Sequence, residues 1–225
     1  MINQYSVIIF VLEMIGTIAF ASSGAMVGIR KNMDIFGVSV LGVTTAVGGG
    51  CIRDLILGIH PPKMFQNFAY VGMAIVTSLL IFFAMYIKRE LLEGHFIENY
   101  EQVMNAFDAI GLGIFTVVGI QTTLTIFDDS NTFLLIFVGV ITSVGGCMLR
   151  DVLTGTVPFV FVKHIYASAS LVGAILYVIL RCRINDVVAM LISMITVICI
   201  RILAAKYRWN LPRIHNSIQE EKRQL

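Results

Sequence analysis

The chain has 225 residues, 57% hydrophobic and only 13% charged, with a formal net charge of +2. Soluble domains carry about 25% charged residues, so a soluble globule of this composition would lack its polar shell. So small a net charge gives no ground for nucleic-acid binding, and the bilayer is the better solvent.

Seven apolar segments follow one another: 5–27, 34–57, 67–87, 104–126, 132–154, 160–180 and 184–205. Each reaches the ~20 residues that cross a hydrocarbon core about 30 Å thick. Backbone polar groups cannot go unpaired in lipid, so all seven are expected to be helices. The first has no basic region ahead of it and no small-residue cleavage site, and is expected to be retained rather than cleaved as a signal peptide. It carries an intramembrane acid, Glu13, followed by Gly16, Thr17, Phe20, Ser22, Ser23 and Gly24. The second carries Thr44 and Thr45 and then Gly48-Gly49-Gly50-Cys51-Ile52-Arg53-Asp54. After the third comes a charged, mostly acidic connection from Lys88 to Val103, the natural boundary of two halves.

The second half repeats the first. Asp108, Gly111, Phe115 and Gly119 fall on Glu13, Gly16, Phe20 and Gly24 at an offset of 95. Thr142, Gly145, Gly146, Arg150, Asp151, Gly155 and Pro158 fall on Thr45, Gly48, Gly49, Arg53, Asp54, Gly58 and Pro61 at an offset of 97. A unit of three spans has an odd number of crossings, so its second copy enters from the opposite side, as an inverted-topology repeat. The fold class expected is an all-α membrane protein of seven transmembrane helices. Its parts are a first three-helix repeat (1–90), a charged loop (91–103), a second repeat (104–181), a seventh helix (182–207) and a cytoplasmic tail (208–225). Ten Lys and Arg residues cluster at one set of span ends, against Lys63, Arg181 and Arg183 at the other. The positive-inside rule then places the N-terminus outside and the C-terminus in the cytoplasm of a plasma membrane.

Glycines in a helix interior cost roughly 1 kcal/mol each, and they permit a break that exposes backbone N–H and C=O groups. A single such stretch favours close helix packing. Two symmetry-matched stretches, each followed by Arg-Asp, favour a polar pathway. Its candidate lining is Gly48, Gly49, Gly50, Arg53, Asp54, Gly145, Gly146, Arg150 and Asp151, with hydroxyls from Thr44, Thr45, Thr142, Ser143, Ser22 and Ser23. The Arg-Asp pairs could guard the two mouths or serve insertion, and the mouth role predicts that Arg150→Ala alters permeation but not folding. Glu13 and Asp108 could attract cations or fasten spans by pairing with those arginines. Cys51, Cys147, Cys182 and Cys199 form no C-x-x-C and are expected as buried apolar residues. His60, His95, His164 and His215 are expected in water. No H-E-x-x-H, G-x-S-x-G or Walker loop is present. An enzyme is not expected, nor a metal site or cofactor.

The first span, from Glu13 to Ala25, and the doubled Gly-Gly-x-x-x-Arg-Asp stretch resemble a bacterial membrane family that belongs with the trimeric intracellular cation (TRIC) channels. The resemblance covers roughly 5–205, with Glu13 standing where Asp is expected and Cys147 in place of a third glycine. It implies a homotrimer with one pore inside each protomer, helices 2 and 5 bent at the glycines, and conduction of potassium, with sodium possible. Bacterial members are also labelled glycine transporters, which keeps a secondary transporter of a small amino acid as the alternative. The animal channels carry Lys-Glu-Val after the glycines in one repeat, where Arg53-Asp54 follows here, so animal-type lipid and calcium regulation is not implied.

Overall fold

A computed structural model of the chain describes residues 4–87, 96–127, 131–162, 165–207 and 209. These form α1 (Gln4–Arg30), α2 (Ile35–Ile56), α3 (Lys63–Gln66), α4 (Phe68–Ile87), α5 (Phe96–Leu124), α6 (Thr132–Leu153), α7 (Phe159–Val162), α8 (Ala167–Arg181) and α9 (Asp186–Lys206). All the described secondary structure is helical. α1, α2, α4, α5, α6 and α9 are long and apolar enough to cross a membrane, and α8 is a shorter apolar helix. The protein is a multi-pass membrane protein.

Two sequence expectations need adjusting at the element ends. The expected span 160–180 is not one rod but α7 followed by the 15-residue α8. At 1.5 Å per residue α8 reaches only about 22 Å, short of a full crossing. α5 begins at Phe96, inside the stretch taken as the charged loop. Lys88 and the rest of that loop before Phe96 lie outside the described residues, as does nearly all of the tail.

The repeat is visible in three dimensions. α6 matches α2 residue for residue at the offset of 97, and the short α7 answers the short α3. Their caps match as well. Asp34 accepts from Gly37 N–H at 2.7 Å to start α2, and Asn131 accepts from Leu134 N–H at 3.0 Å to start α6. Each helix ends on a glycine with positive φ, Gly58 (71°) and Gly155 (65°). There the N–H of Ile59 returns to the Asp54 carbonyl and that of Thr156 to the Asp151 carbonyl, the Schellman closure.

α1, α2, α6 and α5 form a closed ring, each packed on the next. α4 lies against α1 and α2, α8 lies against α5 and α6, and α9 covers α5 and α8. At the approximate two-fold between the halves, Phe20 and Phe115 stack with centroids 5.3 Å apart. Phe20 rests on Gly111, and Phe115 on Gly16.

The glycine runs do not break their helices. Helical structure runs unbroken through Gly48–Gly50 and through Gly145–Gly146. The reason is the α2–α6 crossing. A Cβ at Gly49 would overlap the Thr142 carbonyl, and one at Gly146 the Thr45 carbonyl. Two backbones therefore touch where side chains would hold them apart, as in small-residue packing of membrane helices. Two cysteines also differ from expectation. Cys182 and Cys199 lie exposed on the outer surface of the bundle, and only Cys147 is fully buried.

Candidate functional site

Each Arg-Asp pair sits in the last turn of its helix, at opposite ends of the bundle. Arg53 is bound to Asp54 at 2.8 Å and faces Glu13 at 3.6 Å. Tyr70 of α4 donates its hydroxyl to the other Glu13 oxygen. The second Asp54 oxygen accepts from the backbone N–H of Lys63, the first residue of α3. The second half reproduces this plan more tightly. Arg150 binds Asp151 at 2.9 Å and both Asp108 oxygens at 2.9 and 3.1 Å, and it donates to Ser23 at 2.6 Å. Phe159 of α7 lies under its guanidinium, and Phe159 N–H is accepted by Asp151.

Asp54 and Asp151 thus have a role that spacing alone did not reveal. Each orients its neighbouring arginine with one oxygen and ties down the start of a short returning helix with the other. Pro61 and Pro158, matched in the two halves, precede these short helices.

The two ends differ in openness. Around Arg53 lies a small open cleft, lined among others by Glu13, Thr17, Gly50, Cys51, Lys63 and Tyr70. Around Arg150 the counterparts are sealed, with Asp108, Cys147 and Arg150 each at most 1% exposed. One residue accounts for much of the contrast. Gly50 leaves open space, since a Cβ there would meet only the tip of Arg53 at 3.8 Å. Its symmetry mate is Cys147, whose sulfur reaches to 3.7 Å from Asp108. Lys63 lines the cleft from outside the spans, and its ammonium pKa is lowered, first by burial and then by Arg53.

Gly50, Arg53, Asp54 and Glu13 therefore converge on the cleft, and Arg150, Asp151, Asp108 and Ser23 on the sealed cluster. Gly48, Gly49, Gly145 and Gly146 are taken up by the helix crossing. Thr45, Thr142 and Ser22 donate to carbonyls of their own helices, the usual fate of intramembrane hydroxyls. Ser143 joins Ser170 and Thr116 in a buried hydroxyl chain, and Thr44 is half-buried. Tyr70, Cys51, Lys63 and Met64 were not foreseen as lining. The one available sign was a tyrosine hydroxyl inside the apolar third span.

A ring of four helices with mirrored halves and paired charges at each end defines a polytopic helical protein with an internal polar site. A family profile described as glycine transporter matches residues 10–86 and 105–182, the two halves. The UPF0126 inner membrane protein YadS of Escherichia coli (strain K12) is 31% identical, over 91% of this chain and 95% of that protein. The chain belongs to this family. Two solved structures share its fold and about a third of its residues. The TRIC trimeric intracellular cation channel orthologue from Rhodobacter sphaeroides is 30% identical, with a TM-score of 0.80, covering 89% of this chain and 98% of that one. A prokaryotic TRIC channel solved in 0.5 M KCl is 31% identical, with a TM-score of 0.81, covering 91% and 99%.

Proposed function

We propose that the protein is a passive channel for monovalent cations, potassium foremost, with its path inside the single chain between α1, α2, α5 and α6. The observation that carries this is the cleft at Gly50, where carboxylate, phenol and hydroxyl oxygens from Glu13, Asp54, Tyr70 and Thr17 meet inside an otherwise apolar bundle. Oxygen atoms of this kind replace the hydration shell of a cation. Arg53 and Arg150 hold the carboxylates at each end, as tethered cations that a permeant ion must displace. Likeness to TRIC channels over nearly the whole chain supports the same reading. So does the fact that the halves close on one another within a single chain.

The same likeness supports a homotrimer in an inner membrane. Its N-terminus is outside and its C-terminus cytoplasmic, so the open cleft faces out and the Arg150 cluster faces in. The test is potassium flux into liposomes holding purified protein, with sodium in parallel arms. Flux above protein-free liposomes, abolished by Gly50→Leu, is the expected result. No flux at any voltage rejects the channel.

One observation favours a second reading, a secondary transporter of a small amino acid. Arg53 and Glu13 set opposite charges side by side in the cleft, as a zwitterion requires. Saturable glycine uptake with counterflow, in place of voltage-driven flux, would establish it.

A further inference from the structure

Arg201 belongs to neither charged cluster. It lies on α9, five residues before that helix ends, and is 4% exposed. Its guanidinium sits over the Tyr166 ring at 4.3 Å, and Nη1 donates a long bond of 3.4 Å to the Ile165 carbonyl. Its Nε has no partner among the described residues. Arg53 and Arg150 each hold two carboxylates, whereas no ion pair compensates Arg201 among the described residues. A buried, unpaired guanidinium in a membrane protein calls for an anion.

What the guanidinium leans on is also short of a negative group. Ile165 and Tyr166 lead directly into α8, a 15-residue helix whose N-cap residue, Tyr166, makes no side-chain cap bond. The buried hydroxyl of Ser168, in the first turn of α8, has no partner among the described residues. An open helix N-terminus and a guanidinium both favour the oxygens of a phosphate, the first through its free N–H groups and the second through its fork of donors. Five residues of helix amount to about 7 Å, which puts Arg201 within side-chain reach of the headgroup level on the Arg150 face of the bundle.

We infer that Arg201 and the N-terminus of α8 form a binding site for a phosphate group, carried by an anionic lipid headgroup or as free phosphate. The site is separate from the cleft and does not rest on the channel reading. Bound there, a phosphate ties α9 to the start of α8.

The test is thermal unfolding of the detergent-purified protein with phosphatidylglycerol, with phosphatidylcholine, or with inorganic phosphate against sodium chloride of equal ionic strength. A raised melting temperature with phosphatidylglycerol but not phosphatidylcholine identifies a lipid headgroup. A rise with phosphate over chloride identifies the free ion. Either rise should vanish in Arg201→Gln. No rise in any arm, or an equal rise in the variant, overturns the site. Should Arg201→Gln not fold, native mass spectrometry of the wild-type protein decides. Retention of phosphatidylglycerol or phosphate above phosphatidylcholine and chloride supports the site, and equal retention overturns it.

Discussion

At the scale of single residues, the two matched arginines do different work. Arg150 is fully buried and bonded to Asp108, Asp151 and Ser23. Removing one partner of a buried ion pair strands the other, at a cost of about 3–5 kcal/mol. Arg150→Ala is therefore expected to lose folded protein, read as a lowered melting temperature and poor monodispersity in detergent. An Arg150→Ala protein that folds as well as wild type but conducts differently would support the mouth-guard role alone, without the structural one. Arg53→Ala should cost less, because its contact with Glu13 is looser at 3.6 Å and it borders the cleft. If Arg53 stands where an ion must pass, its loss raises potassium flux, whereas Glu13→Gln lowers it. Equal destabilisation by both arginine variants would contradict this ranking.

Between helices, the decisive contacts are backbone against backbone. A Cβ at Gly49 or Gly146 meets a carbonyl of the partner helix, and a carbonyl cannot swing aside as a side-chain tip can. Overpacking of this kind costs about 1–3 kcal/mol, so Gly49→Ala and Gly146→Ala should each lower the melting temperature by several degrees. Gly50→Ala, one residue on, should not. Gly58→Ala and Gly155→Ala form a third class. Nothing stands within 4 Å of either position, so only the positive φ is penalised, by about 1–2 kcal/mol, and helix packing is untouched. Melting curves for the five variants separate packing from backbone strain.

These elements also mark how far the sequence could be read. The repeat and its offsets follow from spacing alone, whereas the pairing of Glu13 and Asp108 with the arginines is one of two readings that spacing left open, and the folded chain contains it. The unbroken glycine helices do not follow. Glycine relaxes a helix and admits a neighbour equally well, and only the position of α6 decides between them. The short α3 and α7 were hidden for a similar reason. Four residues carry no periodicity, and what fixes their starts is a carboxylate oxygen of Asp54 or Asp151 nine or eight residues earlier.

For the whole molecule, near-symmetry makes each departure from it informative. An inverted repeat has two ends built to one plan, and here one end holds a cleft while the other is sealed. Gly50 against Cys147 is one such departure, lining the cleft at one end and touching Asp108 at the other. Cys147→Gly should remove the sulfur beside Asp108 and hydrate the sealed end, raising potassium flux above wild type. Gly50→Cys should fill the cleft and lower it. The double exchange should invert the preference, so that a membrane-impermeant thiol reagent reaches the introduced thiol poorly. Native Cys51 supplies the baseline for that measurement, since it lines the cleft while Cys147 is buried. In a Cys182→Ser, Cys199→Ser background, a polar maleimide added from the cleft side should label Cys51 in intact vesicles and reduce flux, and the same reagent on the other side should leave Cys51 and Cys147 free. Labelling from the opposite side alone would reverse the orientation assigned by the lysine and arginine count. Flux that ignores all three exchanges would mean that the route of the ion lies outside this ring of four helices.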